Sequence, residues 1–159
     1  MRKYGWIAAA VIVLDQLSKA AAQSLGENRL ALIPGVLGLR YAENTGMAFS
    51  LFSGRPWLLG ILAAVLVAAG AAALRRYQLG RWSGVSTMLM LGGAVGNMID
   101  RLLRGYVVDM LEVLCFRFAV FNIADAALTV GCALMAYSLI FRPDEWREKH
   151  HGDTEGNAA

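Results

Sequence analysis

Gly92–Arg101 reads GGAVGNMIDR, Leu102–Met110 reads LLRGYVVDM, and Phe121–Asp125 reads FNIAD. Three carboxylates (Asp100, Asp109, Asp125), two amides (Asn97, Asn122) and two arginines (Arg101, Arg104) gather in this stretch. The chain around it is oily. Ionisable groups set beside hydrocarbon are costly and mark a functional site by default. Reading outward from them decides the fold, because the segments on either side must then cross a membrane.

The chain has 159 residues, of which 57% are hydrophobic, and a mean hydropathy of +0.49. An ordinary soluble domain is less apolar. Spanning the hydrocarbon takes ~20 mostly apolar residues in a helix. Four segments qualify, at about 4–23, 57–74, 82–100 and 122–141. Pro56 suits the first turn of the second, where its missing N–H costs nothing. Arg75 and Arg76 stop the second helix, and Arg142-Pro143 stops the fourth. The opening Met1-Arg2-Lys3 and the apolar run after it imitate a signal peptide, but Asp15 and Lys19 do not belong in such a run. The reading is a retained first membrane helix.

Four spans place both termini on one side. The clusters Arg2-Lys3, Arg75-Arg76-Arg81 and Arg142-Arg147-Lys149 fall beside the helix ends there, so that side is the cytoplasm. The opening stretch then faces outward. The connection at about 26–55 is too long for a plain loop. Leu30–Ile33 and Val36–Ala42 are β-like runs broken by Pro34-Gly35. They predict a short extracytoplasmic β-sheet lying on the outer leaflet. Asn44-Thr45-Gly46 reads as a tight turn. Residues 1–142 thus form one all-α membrane domain with a small β element, and 143–159 a disordered cytoplasmic tail holding His150 and His151.

On the third helix, Gly92, Gly96 and Asp100 share one stripe, and Gly93, Asn97 and Arg101 the next. The glycines suit close helix packing. Asp100 ends a helix, where the dipole disfavours a negative charge, so it needs a cation: Lys19 or Arg101. On the first helix, Asp15 and Lys19 are four apart and form an ion pair, either plain charge compensation or a pin joining helices one and three. Asn122 is a good N-cap, and Asp125, three residues on, completes a capping box. Asp109 sits in the apolar run VVDML with no local cation, which destabilises its ionised form. Two carboxylates in such different surroundings suggest an acid and a base.

No histidine lies outside the tail, which excludes Ser-His and Cys-His schemes. Cys115 and Cys132 have no metal-type spacing, and no bridge between them is expected. No nucleotide-binding glycine pattern is present, and no basic run interleaved with aromatics points to nucleic acid. By residue type alone an acidic Mg²⁺ or Ca²⁺ site stays open. The inventory leaves a paired-aspartate hydrolase ahead of an ion-conducting or transporting subunit built on the same carboxylates.

Five motifs in order narrow the choice. Asp15-Gln16-Leu17-Ser18-Lys19, Asn44-Thr45-Gly46-Met47-Ala48-Phe49, Gly92–Arg101, Gly105-Tyr106-Val107-Val108-Asp109 and Phe121-Asn122-Ile123-Ala124-Asp125 together resemble those of bacterial lipoprotein signal peptidase (signal peptidase II), an intramembrane aspartic protease. Met47 and Met110 depart mildly from its pattern. The resemblance implies that Asp109 and Asp125 are the catalytic pair. It implies that Asn44, Gly46, Asn97, Asp100, Arg101 and Asn122 shape the site and hold substrate, supported by Asp15 and Lys19, with no metal and no cofactor. The implied substrate is a prolipoprotein signal peptide, cut just before a diacylglyceryl-modified cysteine by a monomer among the phospholipids of the bacterial inner membrane.

Overall fold

The computed structural model describes residues 2–46 and 56–148. Met47-Ala48-Phe49, the end of one motif, and the tail histidines lie outside the described residues. Four helices form where the sequence predicts them: α1 (Gly5–Leu25), α2 (Pro56–Leu74), α3 (Arg81–Leu103) and α4 (Ile123–Phe141). By length and composition α1 and α4 are apolar enough to cross a membrane; α2 carries a shorter apolar stretch, Trp57–Ala72. Along α3, polar side chains such as Ser83, Ser86, Asn97 and Asp100 dilute the apolar character, and all four are buried. This helix is therefore the hub against which the others pack, and its polar groups face protein.

The glycines of α3 make that packing possible. A Cβ at Gly92 would lie 2.8 Å from Val11 Cβ, and one at Gly96 would lie 2.7 Å from Asp15 Oδ2. One at Gly93 would collide with the Ala124 carbonyl and with Leu128. So the Gly92/Gly96 stripe faces α1, and the Gly93/Asn97 stripe faces α4. In contrast, α2 packs chiefly on α3 and turns large apolar side chains such as Val65 and Leu66 outward.

Strands β1 (Arg29–Ile33), β2 (Leu37–Asn44) and β4 (Val107–Val113) form an antiparallel sheet in the order β1-β2-β4. The predicted short sheet is present, with a third strand that the sequence reading treated only as an apolar run. Val107-Val108-Asp109-Met110 is buried throughout, which hides the alternation of a half-exposed strand. Ala42 pairs with Asp109 and Asn44 with Val107 across β2 and β4. The Met110 and Leu111 amides donate to the Phe121 carbonyl at 2.9 and 2.8 Å, and the Phe121 amide donates to the Leu111 carbonyl at 3.0 Å. That bridge sets the start of α4 beside Asp109.

The expected disordered tail needs one correction. Pro143–Glu145 form a 3₁₀ turn and β5 (Trp146–Glu148) pairs with β3 (Tyr77–Leu79). Two side chains fold this segment back. Glu145 is buried and accepts from the Ser83 amide in the first turn of α3 at 2.9 Å. The Trp146 indole donates to Ser138 Oγ at 3.1 Å. A polar composition read as solvated thus includes a helix cap and an aromatic anchor.

Candidate active site

Asp15, Lys19 and Asp100 lie beneath the sheet and are wholly excluded from solvent. Lys19 Nζ reaches Asp15 Oδ2 at 2.7 Å and Asp100 Oδ2 at 2.9 Å, and donates to Asn97 Oδ1 at 3.0 Å. Arg104 supplies the second cation, 2.6 Å from Asp100 Oδ1. Two acids and two bases therefore balance. Asp100 also accepts from the Val108 amide at 3.2 Å, and Asp15 from the Ala124 amide at 2.9 Å. The first bond fixes the strand carrying Asp109. The second caps the helix carrying Asp125, where a negative charge is favoured. The Asp15–Lys19 pair is thus a joint between α1, α3 and α4.

Of the two cations offered to Asp100 by the sequence, Lys19 pairs with it and Arg101 does not. Arg101 instead points toward the open space above, donating weakly to the Gly46 carbonyl at 3.5 Å. Its buried Nε has no partner among the described residues. The sequence reading named two further residues without giving them a role. Gln16 donates to Asp100 Oδ1 at 3.1 Å and to the Gly96 carbonyl at 3.2 Å. Its place inside the Asp15–Lys19 motif was the available signal. Arg104 stands four residues after Asp100, a spacing at which helical side chains meet.

Asp109 and Asp125 are held differently. Asn122 Nδ2 donates to Asp109 Oδ1 at 2.7 Å, and Asn44 Nδ2 to Asp109 Oδ2 at 3.0 Å. Asn97 Nδ2 donates to Asp125 Oδ1 at 2.7 Å. The capping box forms as the sequence predicts: the Asp125 amide donates to Asn122 Oδ1 at 2.8 Å and the Asn122 amide to Asp125 Oδ2 at 3.3 Å. Asn122 and Asn97 are themselves joined at 3.1 Å, so one amide relay spans both carboxylates. The Asn44 side chain also accepts from the Gly46 amide at 3.1 Å, closing the expected turn. Among the described residues neither Asp109 nor Asp125 forms an ion pair with Lys or Arg.

Burial between Val108 and Met110 pushes the Asp109 carboxyl up to about 6; the bonds from Asn44 and Asn122 offset only part of that. Both carboxylates open onto one cavity of about 530 Å³, lined also by Asn44, Arg101 and Phe118–Phe121. A second cavity of about 430 Å³ meets the first at Arg101 and Asp125 and runs between α2, α3 and α4. Two carboxylates with amide donors, a spare guanidinium and an apolar approach can activate a water and polarise a carbonyl.

The model of the Signal peptidase (SPase) II family matches residues 7–141. The chain belongs to the signal peptidase II family. Among its relatives, the lipoprotein signal peptidase of Trichormus variabilis is 44% identical, the match covering 92% of this chain and 93% of that protein. The lipoprotein signal peptidase of Geobacillus kaustophilus is 40% identical, covering 87% and 93%. A solved bacterial membrane enzyme superposes with a TM-score of 0.83 at 28% identity, covering 94% of each chain. As a signal peptidase II the chain is a membrane peptidase of the aspartic type, and its all-α frame with a three-stranded antiparallel sheet is the architecture of that solved enzyme.

Proposed function

We propose that this enzyme removes signal peptides from diacylglyceryl-modified prolipoproteins, cutting just before the lipidated cysteine, with Asp109 and Asp125 as its catalytic pair. One observation carries the assignment. These two acids share a cavity and an amide relay, while the cations Lys19 and Arg104 are spent on Asp15 and Asp100. One carboxylate takes a proton from water as the water oxygen attacks the scissile carbonyl. The other, protonated, hydrogen-bonds the carbonyl oxygen. As the tetrahedral intermediate collapses, a carboxyl protonates the leaving amine. The two protons belong to the pair and not to either residue. Arg101, with its unpartnered Nε, binds the substrate backbone above them.

All four helices span the inner membrane, the termini face the cytoplasm and the site lies near the outer face. Exposed Leu30, Leu32, Ile33, Val36, Phe116 and Phe118 support a sheet resting on the outer leaflet among phospholipids. The enzyme acts as a monomer without cofactor or nucleic acid. The rival transporter would need acids stepping across the membrane, but here the buried acids of the helical bundle meet in one cluster, Asp15 and Asp100 on Lys19 and Asp125 one amide away through Asn97. The test is a gel-shift assay in micelles with a lipid-modified precursor. Asp109→Asn and Asp125→Asn each abolish cleavage while remaining folded. Normal cleavage by either variant would remove that residue from the pair.

A further inference from the structure

The segment that leads into α4 has an open edge. Phe118–Phe121 line the cavity that holds both carboxylates. At Phe121 the backbone is fully used: its amide and its carbonyl both exchange bonds with Leu111 of β4. The ladder stops there. Among the described residues, the backbone groups of Ala119 and Val120 have no hydrogen-bond partner, although Val120 is half-buried. Buried amides and carbonyls normally find one. Unpaired groups along the edge of an extended segment are a template for another strand.

Alternation decides which way this edge faces. In a pleated chain the backbone groups of successive residues point to opposite edges. Phe121 aims both of its groups at β4, so Val120 and Asn122 aim theirs away from it. The Asn122 amide shows where that is, since it donates to Asp125 Oδ2 at 3.3 Å. Asn122 is itself extended, with φ −131° and ψ 179°. Val120 therefore offers one N–H and one C=O along the edge that leads to Asp125. Two residues of strand span roughly 7 Å, which sets this pair about two residues from the carboxylate.

A donor and an acceptor on one residue ask for a partner with an amide and a carbonyl in the same register. A helical peptide cannot supply them, because its own backbone bonds are made within the helix. An extended peptide can. The edge belongs to the cavity of the two acids, so its occupant is the substrate chain. We propose that substrate residues beside the scissile bond add to Val120 as a short extended strand, the residue paired with Val120 standing two positions from the bond that is cut. This rests on the peptidase reading above. Val120 is then a positioning residue. Main-chain pairing holds a peptide whatever its side chains, and it fixes register. A slip of one residue would carry the scissile carbonyl about 3.3 Å from its place, and smaller misplacements already cost large factors in rate.

The test is an ester scan. Synthetic lipid-modified precursors carry an ester in place of one amide at a time, within about three residues of the scissile bond on either side, which removes single N–H donors. The full-length enzyme cuts them in micelles. One ester, two positions from the scissile bond, lowers kcat/KM about fivefold, the worth of one hydrogen bond, and the esters next to it do not. Val120→Pro has no N–H, and its ring stands where the added strand would lie. The amide-to-ester ratio of kcat/KM at the sensitive position then falls from about five to about one. A variant merely loosened by proline loses activity on both precursors alike and keeps the ratio at about five, which overturns the proposal. No loss, a uniform loss, or equal losses at adjacent positions in the scan also overturns it. The scan uses only the unaltered enzyme, so it judges the proposal even if Val120→Pro does not fold. Failure of the unaltered enzyme to cut the all-amide precursor would instead overturn the peptidase reading beneath it.

Discussion

Replacing Asp109 by asparagine should stabilise the protein at neutral pH and destabilise it in acid. Asp109 is 4% exposed, and its carboxyl is raised from 3.8 to about 6 by burial. That rise corresponds to ~3 kcal/mol at about 1.36 kcal/mol per pH unit. Its sign follows from which state ionises first. Below pH 3.8 the carboxyl is neutral folded or unfolded and contributes nothing. As pH rises toward 6 the unfolded chain releases the proton while the folded chain resists, so stability falls. Above about 6 the full penalty is present. Asparagine carries no such penalty, but it has one acceptor oxygen for the two amides of Asn44 and Asn122, a loss of ~1 kcal/mol. Asp109→Asn is therefore ~0.5 kcal/mol less stable near pH 4, where the unfolded carboxyl has begun to ionise, and ~2 kcal/mol more stable near pH 7. Thermal unfolding of both proteins in one detergent, from pH 4 to 7.5, measures the difference; titrating groups away from the pair cancel in it, while Asp125 is relieved of the Asp109 charge and adds to the effect. A difference that stays constant with pH, or a variant weaker than the parent at pH 7, would refute the argument.

Further outcomes follow from the same geometry. Lys19→Met leaves Asp15 and Asp100 buried with Arg104 alone to balance them, and should cost ~3–5 kcal/mol in unfolding experiments. Gly96→Ala drives a methyl to 2.7 Å from an Asp15 oxygen that Lys19 and the Ala124 amide hold still. It should cost ~1–3 kcal/mol and lower the melting temperature. Thr87→Val deletes a buried hydroxyl without a partner among the described residues and should stabilise by ~1 kcal/mol on the same scale. Glu145→Ala removes the acceptor for the Ser83 amide; a loss of ~1 kcal/mol, read by thermal unfolding, is expected for a helix cap.

The four helices were legible because each is an apolar run ended by arginine or by a capping residue. The Asn122–Asp125 cap and the Asp15–Lys19 pair were legible for the same reason: both are local, set by three- and four-residue spacings. What could not be read is what depends on contact across the chain. β4 looked like a plain apolar run because all of Val107–Met110 is buried, with Val108 and Met110 clustered with Ala22 of α1. Asp100 named its need for a cation, but adjacency favoured Arg101 as much as Lys19. Only the crossing of α1 and α3 at Gly92 and Gly96 sends Arg101 to the cavity and Lys19 to the acid. Glu145 and Trp146 were hidden because their partners, Ser83 and Ser138, belong to α3 and α4.

The division of partners among the acids carries the functional argument furthest. A cation beside a carboxylate holds it ionised. Asp15 and Asp100 have cation partners, Lys19 for both and Arg104 for Asp100, and they cap α4 through the Ala124 amide and pin β4 through the Val108 amide. An acid that must gain and release a proton in each turnover is poorly served by such a partner. Amides position a carboxyl without committing its charge, since a neutral acid still accepts a hydrogen bond. Asp109 and Asp125 receive amides: Asn44 and Asn122 on one, Asn97 and the Asn122 backbone on the other. Lys19 still reaches this pair, but through Asn97, whose Oδ1 it holds at 3.0 Å while Nδ2 serves Asp125. On the proposed assignment, the charge that organises the site is kept one amide away from the two acids that would change theirs.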